Sequence, residues 1–518
     1  QRCRDPTREA SISIEVELKL AANAADLPDL KRALAAMTPG AALVRRTLVS
    51  TYFDTPELAL RQAGSTLRVR DEDGRFTQTL KTADPEGANL LARGEWEDKV
   101  AGNRPDPTAP HSGSRLPLGV AGRLCPLFVT EITRETIEIE PSPGTRVEAA
   151  IDTGEIRAIT GDPVAPVSEI EIELKVGDPA ALYDLALKLL ETAPLRIEPR
   201  SKSERGYRLI RSELHPAAVR AAAVALDPAM TVEAVMQTIG RACLAHLLRN
   251  EPAALDGQPE GVHQMRVAVR RLRSLLSAVK MLLPRDERRA VAEQLAGLAT
   301  PLGPARNFDV LAAELLQPLR RRHQDEPGWD ELSAAVKRAR DEAHDRVKKE
   351  ILSPRHAKTV LRLLFWFDGC GWRASDAPML TAPVGSVAAD ILDRRRRKVR
   401  RRSRHFARLS PKERHQLRIA VKKLRYTVEL LRSLYPARAA RRFVKALKPV
   451  QDALGHANDI RVAYGLVIEL GKTAEPVDPI ATAGGQLLAL HERALLRGEP
   501  RLRKRLRRLS RAAPFWRG

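Results

Sequence analysis

The chain has 518 residues, a formal charge of +23 at pH 7 and only four cysteines. Its length is sufficient for about two to four domains. The scattered cysteines exclude a disulfide framework and a cysteine-rich zinc site, and they favour a reducing, cytoplasmic location. Because the sequence contains no run of eighteen apolar residues, it predicts no membrane span and no membrane partner.

The charge is unevenly distributed along the chain. Residues 1–210 carry 28 Lys and Arg against 33 Asp and Glu, a net charge of −5, whereas residues 211–518 carry a net charge of +28. This asymmetry predicts two modules, the second of which has a polyanionic partner.

The first module is predicted to consist mostly of strands. Apolar and polar residues alternate over eight short segments, and turn sequences such as Asp73-Gly74 separate them. Helices are predicted over Asp26–Met37 and Pro179–Thr192. Antiparallel strands at this spacing predict a barrel. The predicted strands are Ser11–Leu20, Leu48–Phe53, Thr66–Arg70, Phe76–Lys81, Glu95–Val100, Phe128–Glu140, Arg146–Asp152 and Ser168–Val176.

Two of these strands carry the pattern Glu-x-Glu-x-Lys, over residues 15–19 and 171–175. With a period of two, the charged residues share one face and the aliphatic residues the other. Glu169 extends the charged face of the second strand. The pair predicts a polar cavity inside the barrel, although the spacing is equally compatible with the solvated face of an ordinary sheet.

Basic residues on other segments could neutralise these carboxylates. Arg68 and Arg70 are two positions apart and share a face, and Lys81 ends the next strand. Buried carboxylates require such partners. Bases opposite carboxylates also fit a multiply charged phosphate together with Mg²⁺ or Mn²⁺. Further candidate bases are Arg93, Arg134, Lys202 and Arg205.

Several motifs follow one another along residues 11–210. They are Glu15-Val-Glu-Leu-Lys19, Tyr52-Phe-Asp-Thr55, Leu67-Arg-Val-Arg70, Thr79-Leu-Lys81, Arg93-Gly-Glu-Trp-Glu97, Ser168-Glu-Ile-Glu-Ile-Glu-Leu-Lys175 and Ser201-Lys-Ser-Glu-Arg-Gly-Tyr207. Together they resemble the CYTH domain, the triphosphate tunnel metalloenzyme family. The resemblance implies an eight-stranded antiparallel barrel that forms a tunnel. It also implies metal-dependent hydrolysis of a triphosphate, often inorganic triphosphate, with Mg²⁺ or Mn²⁺.

The resemblance also implies roles for individual residues. The catalytic residues would be Glu15, Glu17 and Lys19. The metal ligands would be Glu15, Glu17, Glu169, Glu171 and Glu173. The triphosphate ligands would be Lys19, Arg68, Arg70, Lys81, Arg134, Lys202 and Arg205. The alternatives are a class IV adenylyl cyclase, a thiamine triphosphatase, and a non-catalytic tunnel that only binds polyphosphate.

The second module is predicted to be helical and duplicated. Residues 211–228 form a linker, and residues 229–510 form the helical domain, with repeats at about 229–368 and 387–510. Residues 262–273 match residues 414–425 at an offset of 152, with seven of twelve positions identical. The Leu-Gly elements at 302–303 and 454–455 share this offset.

The repeated helix carries a basic stripe beside an apolar one. The basic positions are spaced three, four and three residues apart, so they lie along one side of the helix. A solvated helix face is the ordinary interpretation. The duplication and the mutual repulsion of like charges favour a bound anion instead. The stripes are His263, Arg266, Arg270 and Arg273 in the first copy and His415, Arg418, Lys422 and Arg425 in the second, with Arg271 and Lys423 adding charge.

These helices and the Leu-Gly elements resemble the CHAD domain over about residues 225–510. The resemblance implies two four-helix bundles related by a pseudo-twofold axis, with the ten residues of the stripes binding inorganic polyphosphate. It makes polyphosphate granules a candidate location within the cytoplasm. Because aromatic residues are only 4% of the chain and no nucleic-acid-binding motif is evident, no specific nucleic-acid partner is expected. The basic run 394–404 is expected to bind polyanions nonspecifically.

Overall fold

The computed structural model describes residues 13–82, 92–117, 119–161, 163–211, 215–323, 325–369, 371–372, 379–471 and 479–517, with side chains left out at 13–15 and 92–93. The chain divides into two compact units. The first contains residues 1–216 and 352–369, and the second contains residues 217–351 and 370–518.

The first unit is built on one antiparallel sheet. Its strands lie in the order β5-β4-β3-β2-β6-β7-β8-β1-β9, and β5 also pairs with β1. Strand β1 therefore borders both β8 and β5, and eight strands surround a tunnel. The strands are β1 (Ser13–Ala22), β2 (Val44–Asp54), β3 (Ser65–Glu72), β4 (Arg75–Thr82), β5 (Ala92–Val100), β6 (Cys125–Ser142), β7 (Thr145–Ala158), β8 (Val164–Val176) and β9 (Leu195–Ile197).

The helices follow in chain order. They are α1 (Leu27–Ala36), α2 (Ala59–Gln62), α3 (Ala180–Thr192), α4 (Lys202–Ile210), α5 (Val232–Leu255), α6 (Pro259–Ala278), α7 (Arg285–Val310), α8 (Gln317–Arg320), α9 (Trp329–Ile351), α10 (Pro354–Asp368), α11 (Val384–Ser403), α12 (Pro411–Leu431), α13 (Ala437–Leu470) and α14 (Pro479–Arg511). None of these described helices combines the length and the apolar character that a membrane crossing requires.

The alternation within β1 and β8 separates the two faces of the sheet. Leu18 lies opposite Ile172 and Leu20 lies opposite Ile170, and all four side chains are buried. Helix α3 packs over both strands. The intervening charged residues therefore face the tunnel, as period-two patterning requires.

Helix α10 belongs to the first unit although it follows α9 of the second. It packs against α3 and β9, and the Tyr183 hydroxyl donates a hydrogen bond to Asp368. The sequence interpretation included this segment in the first helical repeat. The helical periodicity of residues 354–368 is visible in the sequence, but the partner of its apolar face is not.

The second unit is helical, and helix starts recur at a fixed spacing. Helices α5, α6 and α7 begin at residues 232, 259 and 285, and α11, α12 and α13 begin 152 residues later at 384, 411 and 437. Two reciprocal bonds join equivalent positions of the two copies. The Val232 amide donates to the Ala382 carbonyl over 3.0 Å, and the Val384 amide donates to the Met230 carbonyl over 2.8 Å. Such exchange between equivalent groups is the pattern of a twofold relationship.

The predicted fold class is confirmed: an antiparallel strand tunnel precedes an all-helical region. The eight predicted strands are present, and β9 is additional. Seven of the eight have longer bounds, whereas β1 is described over Ser13–Ala22, and residues 11 and 12 of its predicted range lie outside the described residues. Only three residues long, β9 is too short for alternation to reveal.

Candidate active site and basic groove

A cavity of about 570 Å³ lies inside the tunnel. Charged residues of both signs line it, and they come from β1, β3, β4, β5, β6, β7, β8 and the start of α4. The side chains of Glu15 and Arg93 lie outside the described part, although the two residues are paired across β1 and β5. The predicted site residues that line the cavity are Glu17, Lys19, Arg68, Arg70, Lys81, Arg134, Glu171, Glu173 and Lys202.

One wall of the tunnel carries a carboxylate cluster. Oxygens of Asp152, Glu169 and Glu171 all lie within 4.8 Å of one another. The exposed fraction of Asp152 is 0% and that of Glu169 is 1%. Such buried charges persist only beside cations. Lys202 supplies one: its Nζ lies 2.6 Å from Asp152, 2.5 Å from Glu169 and 2.9 Å from Glu171.

Two arginines complete the neutralisation of this cluster. Arg134 forms a bidentate pair with Asp152 over 2.8 and 2.6 Å and also contacts Glu171. Arg205 lies 2.8 Å from Glu169. Burial opposes the charged form of Glu171, but Lys202, Arg134 and Lys19 hold the pKa of that carboxyl well below its usual range. Glu171 is therefore ionised at neutral pH.

Local structure at the start of α4 holds Lys202 in place. Ser201 caps the helix, because its hydroxyl accepts from the Glu204 amide while the Glu204 carboxylate accepts from the Ser201 amide. Further along the helix, the Tyr207 hydroxyl donates to Asp54 over 2.9 Å. Asp54, in the Tyr-Phe-Asp-Thr motif, thus anchors the helix that delivers Lys202.

The opposite wall is basic. Glu95 lies 2.9 Å from Lys81 and 3.7 Å from Arg68. Arg70 donates to the Ser50 hydroxyl over 3.3 Å, and no described carboxylate forms an ion pair with it. Neighbouring Arg68, burial and then Arg134 lower the pKa of Arg70 to about 10. This wall therefore has an excess of positive charge that an anion would relieve.

The carboxylate wall fits a divalent cation by its donor chemistry. Its oxygens come from rigid neighbouring strands and converge on one volume, and carboxylate oxygens are the ligands that Mg²⁺ and Mn²⁺ prefer. Lys202 and Arg134 contact the same oxygens, so a cation bound there would share them or displace an ammonium group.

The basic stripes of the helical unit lie close to each other. Helices α6 and α12 are in contact, and the Arg270 guanidinium lies 5.8 Å from the centre of the Tyr426 ring. Arg266 donates to the carbonyl oxygens of Leu302 and Gly303, each over 2.8 Å. The first Leu-Gly element therefore positions a basic side chain.

Mutual repulsion and burial lower the pKa values of several basic groups in this cluster. Burial, then Arg418 and Arg270, lowers the pKa of Lys422 to about 7. Burial, then Arg270, lowers the pKa of Arg266 to about 10. Burial, then a nearby arginine, lowers the pKa of His263 to about 4. Positive charge is thus concentrated beyond what nearby carboxylates compensate.

A groove of about 1090 Å³ opens beside this cluster, and we call it the basic groove. The ends of the stripes line it together with the start of α7. Burial, then Arg395 and Lys398 of the 394–404 run, lowers the pKa of Lys423. The cationic side chains lining the groove are Arg270, Arg273, Lys280, Arg285, Arg288, Arg289, Lys422 and Lys423.

Comparison with known proteins agrees with this division. The model of the CYTH domain matches residues 13–207, and the model of the CHAD domain matches residues 238–467. The chain carries a CYTH domain followed by a CHAD domain. Both resemblances inferred from the sequence are thereby confirmed.

Individual relatives match one domain or part of the chain. An inorganic triphosphatase of Haemophilus influenzae is 32% identical over 201 residues, which cover 38% of this chain and 54% of that protein, so the match spans about half of its length. The CHAD domain structure from the plant Ricinus communis is 29% identical, with a TM-score of 0.48, covering 58% of this chain and 98% of that one. PptA from Streptomyces chartreusis is 18% identical, with a TM-score of 0.40, covering 54% of this chain and all of the other.

Sequence reasoning missed four charged residues that line the cavity of the CYTH domain tunnel: Asp152, Glu95, Glu97 and Lys175. Asp152 ends a predicted strand and Glu95 begins one, but in the structure both lie inside the longer strands β7 and β5, so the predicted strand ends hid their place on the tunnel face. The strand registers give the cross-strand partners of two of these residues: Asp152 is paired with Glu169 and Arg134, and Glu95 is paired with Lys81.

Six of the ten predicted ligands of the CHAD domain do not line the basic groove: His263, Arg266, Arg271, His415, Arg418 and Arg425. Arg271 is buried, and its charge acts on Cys243 and His246. Arg425 forms a 2.7 Å ion pair with Glu429. His415 lines a separate pocket between α12, α13 and α14.

Proposed function

We propose that the CYTH domain hydrolyses inorganic triphosphate with a divalent cation and that the CHAD domain binds inorganic polyphosphate. The first proposal rests mainly on one observation: a wall of arginine and lysine faces a carboxylate cluster across a single cavity. A triphosphate complexed with a divalent cation carries both the negative charge that the first wall attracts and the positive charge that the second attracts.

The basic wall binds the phosphate oxygens. Arg68, Arg70 and Lys81 point into the same cavity from adjacent strands. The lowered pKa of Arg70 supports this role, because an anion placed there stabilises its charged form. These donors are held by the sheet, so little reorganisation is needed as charge develops on the leaving phosphate.

The carboxylate wall would hold the divalent cation through the carboxylates that line the cavity, Glu17, Asp152, Glu171 and Glu173, with the buried Glu169 beside Asp152 and Glu171. When bound, this cation stabilises negative charge on the phosphoryl oxygens and lowers the pKa of a coordinated water. Lys19 contacts Glu17 and lies 3.7 Å from Glu171, so its ammonium group orients both carboxylates.

The reaction consumes one water. The water oxygen forms a bond to a terminal phosphorus as the bond from that phosphorus to the bridging oxygen breaks, and pyrophosphate leaves with the bonding electrons. Arg68, Arg70 and Lys81 stabilise the charge that accumulates on the leaving group. The proton released by the water passes to solvent.

A substrate panel with the full-length chain tests this proposal. Phosphate release from tripolyphosphate should require Mg²⁺ or Mn²⁺, stop with a chelator, and fall at least about a hundredfold in Arg68→Ala/Arg70→Ala. Arg75→Ala, an exposed arginine of β4, is the matched control. Cyclic product from ATP, or faster hydrolysis of thiamine triphosphate, would favour the other tunnel chemistries. Tight binding of triphosphate without hydrolysis would favour a non-catalytic tunnel.

The proposal for the CHAD domain rests on the concentration of cations along the basic groove. The lowered pKa values of Lys422 and Lys423 support the proposal, because a bound anion would stabilise the charged forms of both groups. A polyphosphate chain presents a regular row of charges that matches a row of cations without requiring base-stacking surfaces.

Titration of the full-length chain with polyphosphate and with DNA at equal salt concentration tests the second proposal. Lys422→Ala/Lys423→Ala should weaken polyphosphate binding and reduce its salt dependence. Lys337→Ala, which removes an exposed cation on α9, should change neither. Equal affinity for DNA and polyphosphate would contradict a specific phosphate-chain site.

A further inference from the structure

A second cavity in the helical unit differs chemically from the basic groove. It has a volume of about 700 Å³ and lies between α12, α13 and α14. Its walls include Leu409, Leu454, Leu495 and Leu502. Leu496 stands among these wall residues with 70% of its surface exposed. We call this cavity the leucine pocket.

Basic side chains line the same pocket. His415 and Arg418 of α12 and Arg461 of α13 all contribute to its lining. The His415 Nδ1 and Arg418 Nε atoms are buried and have no hydrogen-bond partner among the described residues. Buried polar atoms are normally satisfied, so both side chains keep hydrogen-bonding capacity that the described residues do not use.

The carboxylates of the pocket do not balance these cations. Glu499 already pairs with Arg414 over 3.0 Å and with Arg503 over 2.5 Å. Glu492, the other carboxylate of the lining, is exposed. Burial lowers the pKa of Arg418, and although Asp459 opposes this effect, Arg270 and Arg461 add to it. The pocket therefore attracts an anion.

An inorganic phosphate would satisfy only part of this surface. The cations would bind its oxygens, but the leucine side chains would remain in contact with water. Binding pockets for small molecules of this size typically combine an apolar wall with a few convergent polar groups. A ligand with a phosphate at one end and an apolar group at the other matches both parts.

We propose that the leucine pocket binds a phosphate monoester with an apolar organic group, the phosphate on His415, Arg418 and Arg461 and the organic group on the leucines. This proposal rests on the proposed function only in that His415 and Arg418 are also predicted polyphosphate ligands. Its leucine wall is separate from the basic groove.

The probe for this site is 1-naphthyl phosphate, titrated by its fluorescence into the full-length chain. An Arg68→Ala/Arg70→Ala background removes phosphate binding in the tunnel. In that background, Leu495→Asn or Leu502→Asn should weaken binding about tenfold, the effect of losing one partly buried leucine contact. Neither substitution should alter the affinity for inorganic polyphosphate. Arg418→Ala should weaken the binding of both ligands.

A leucine substitution could disturb folding, so a second experiment compares three ligands on a protein without a substitution in the pocket. Methyl phosphate keeps the phosphate but lacks the apolar group, and 1-naphthol keeps the ring but lacks the phosphate. Each should bind the same protein at least about tenfold more weakly than 1-naphthyl phosphate. Equal binding of either analogue would overturn the proposal. If the protein binds 1-naphthyl phosphate but does not bind polyphosphate, that result would contradict only the proposed function of the basic groove.

Discussion

Glu17 of β1 lies directly opposite Glu173 of β8 in the antiparallel ladder. Glu173 in turn lies opposite Glu148 of β7, so three carboxylates follow one another across three strands. Like charges in direct cross-strand positions destabilise a sheet. Lys19 and Lys175 neutralise part of this row through Glu17, Glu173 and Glu148. Under the proposed function, a divalent cation would neutralise the negative charge that the two lysines leave uncompensated in this row.

Replacing Glu173 should therefore lower the rate of hydrolysis without lowering the stability of the fold. Glu173→Gln keeps the shape of the side chain and removes one charge from the row, so the melting temperature should stay constant or rise slightly, within about 0.5 kcal/mol of free energy of unfolding. Triphosphate hydrolysis should fall at least about tenfold, and the Mg²⁺ concentration for half-maximal rate should rise. Glu140→Gln, at an exposed position of β6, is the control. An unchanged metal requirement would exclude Glu173 as a ligand.

Removing Asp152 should affect stability and activity together. Asp152→Ala leaves the buried cations Arg134 and Lys202 without one shared partner, which typically costs about 3 kcal/mol or more. Thermal unfolding should detect this loss, and hydrolysis should cease at temperatures where the variant remains folded. Asp71→Asn, on the partly exposed end of β3, should show neither effect.

Polyphosphate affinity should fall as the pH rises above about 7. Burial, Arg418 and Arg270 lower the pKa of Lys422 to about 7. A bound polyanion raises that pKa, so binding above pH 7 must be accompanied by uptake of a proton. Above pH 7, the loss of the Lys422 proton alone should reduce the affinity for polyphosphate by up to about tenfold per pH unit. Below pH 7, Lys422 is already charged in the unbound protein, so it contributes no pH dependence.

The check is a polyphosphate titration from pH 6 to pH 9 at constant salt concentration. His263, with a pKa of about 4, stays neutral across this window. Lys422→Arg should flatten the profile, because a guanidinium group remains protonated. An identical slope in this variant would assign the pH dependence to another group.

Helix α10 should be necessary for the stability of the tunnel unit. Leu364 is buried in this helix, and Leu364→Ala should lower the free energy of unfolding by about 2 to 5 kcal/mol. Because α10 packs against α3 and β9, and β9 pairs with β1, the tunnel activity should become heat-sensitive. Leu352→Ala removes a leucine that is 58% exposed and should have little effect on either measurement.

The amino-acid sequence by itself determined the periodicities. Alternation in β1 and β8 assigned Glu17, Lys19, Glu171 and Glu173 to one face, because successive strand residues must point to opposite sides. The offset of 152 residues revealed the duplication, since each helix start is encoded locally. Both inferences use only the order and spacing of residues along the chain.

The tertiary structure decided which faces meet. Asp152 joins Glu169 only through the register of β7 and β8, and α10 joins the first unit only through its contact with α3. Arg271 has the same charge as Arg270 and adjoins it in the sequence, yet it is buried near Cys243 while Arg270 lines the groove. Side-chain periodicity predicts a face, but long-range packing selects its partner, and that partner determines whether a charged group is a ligand or part of the core.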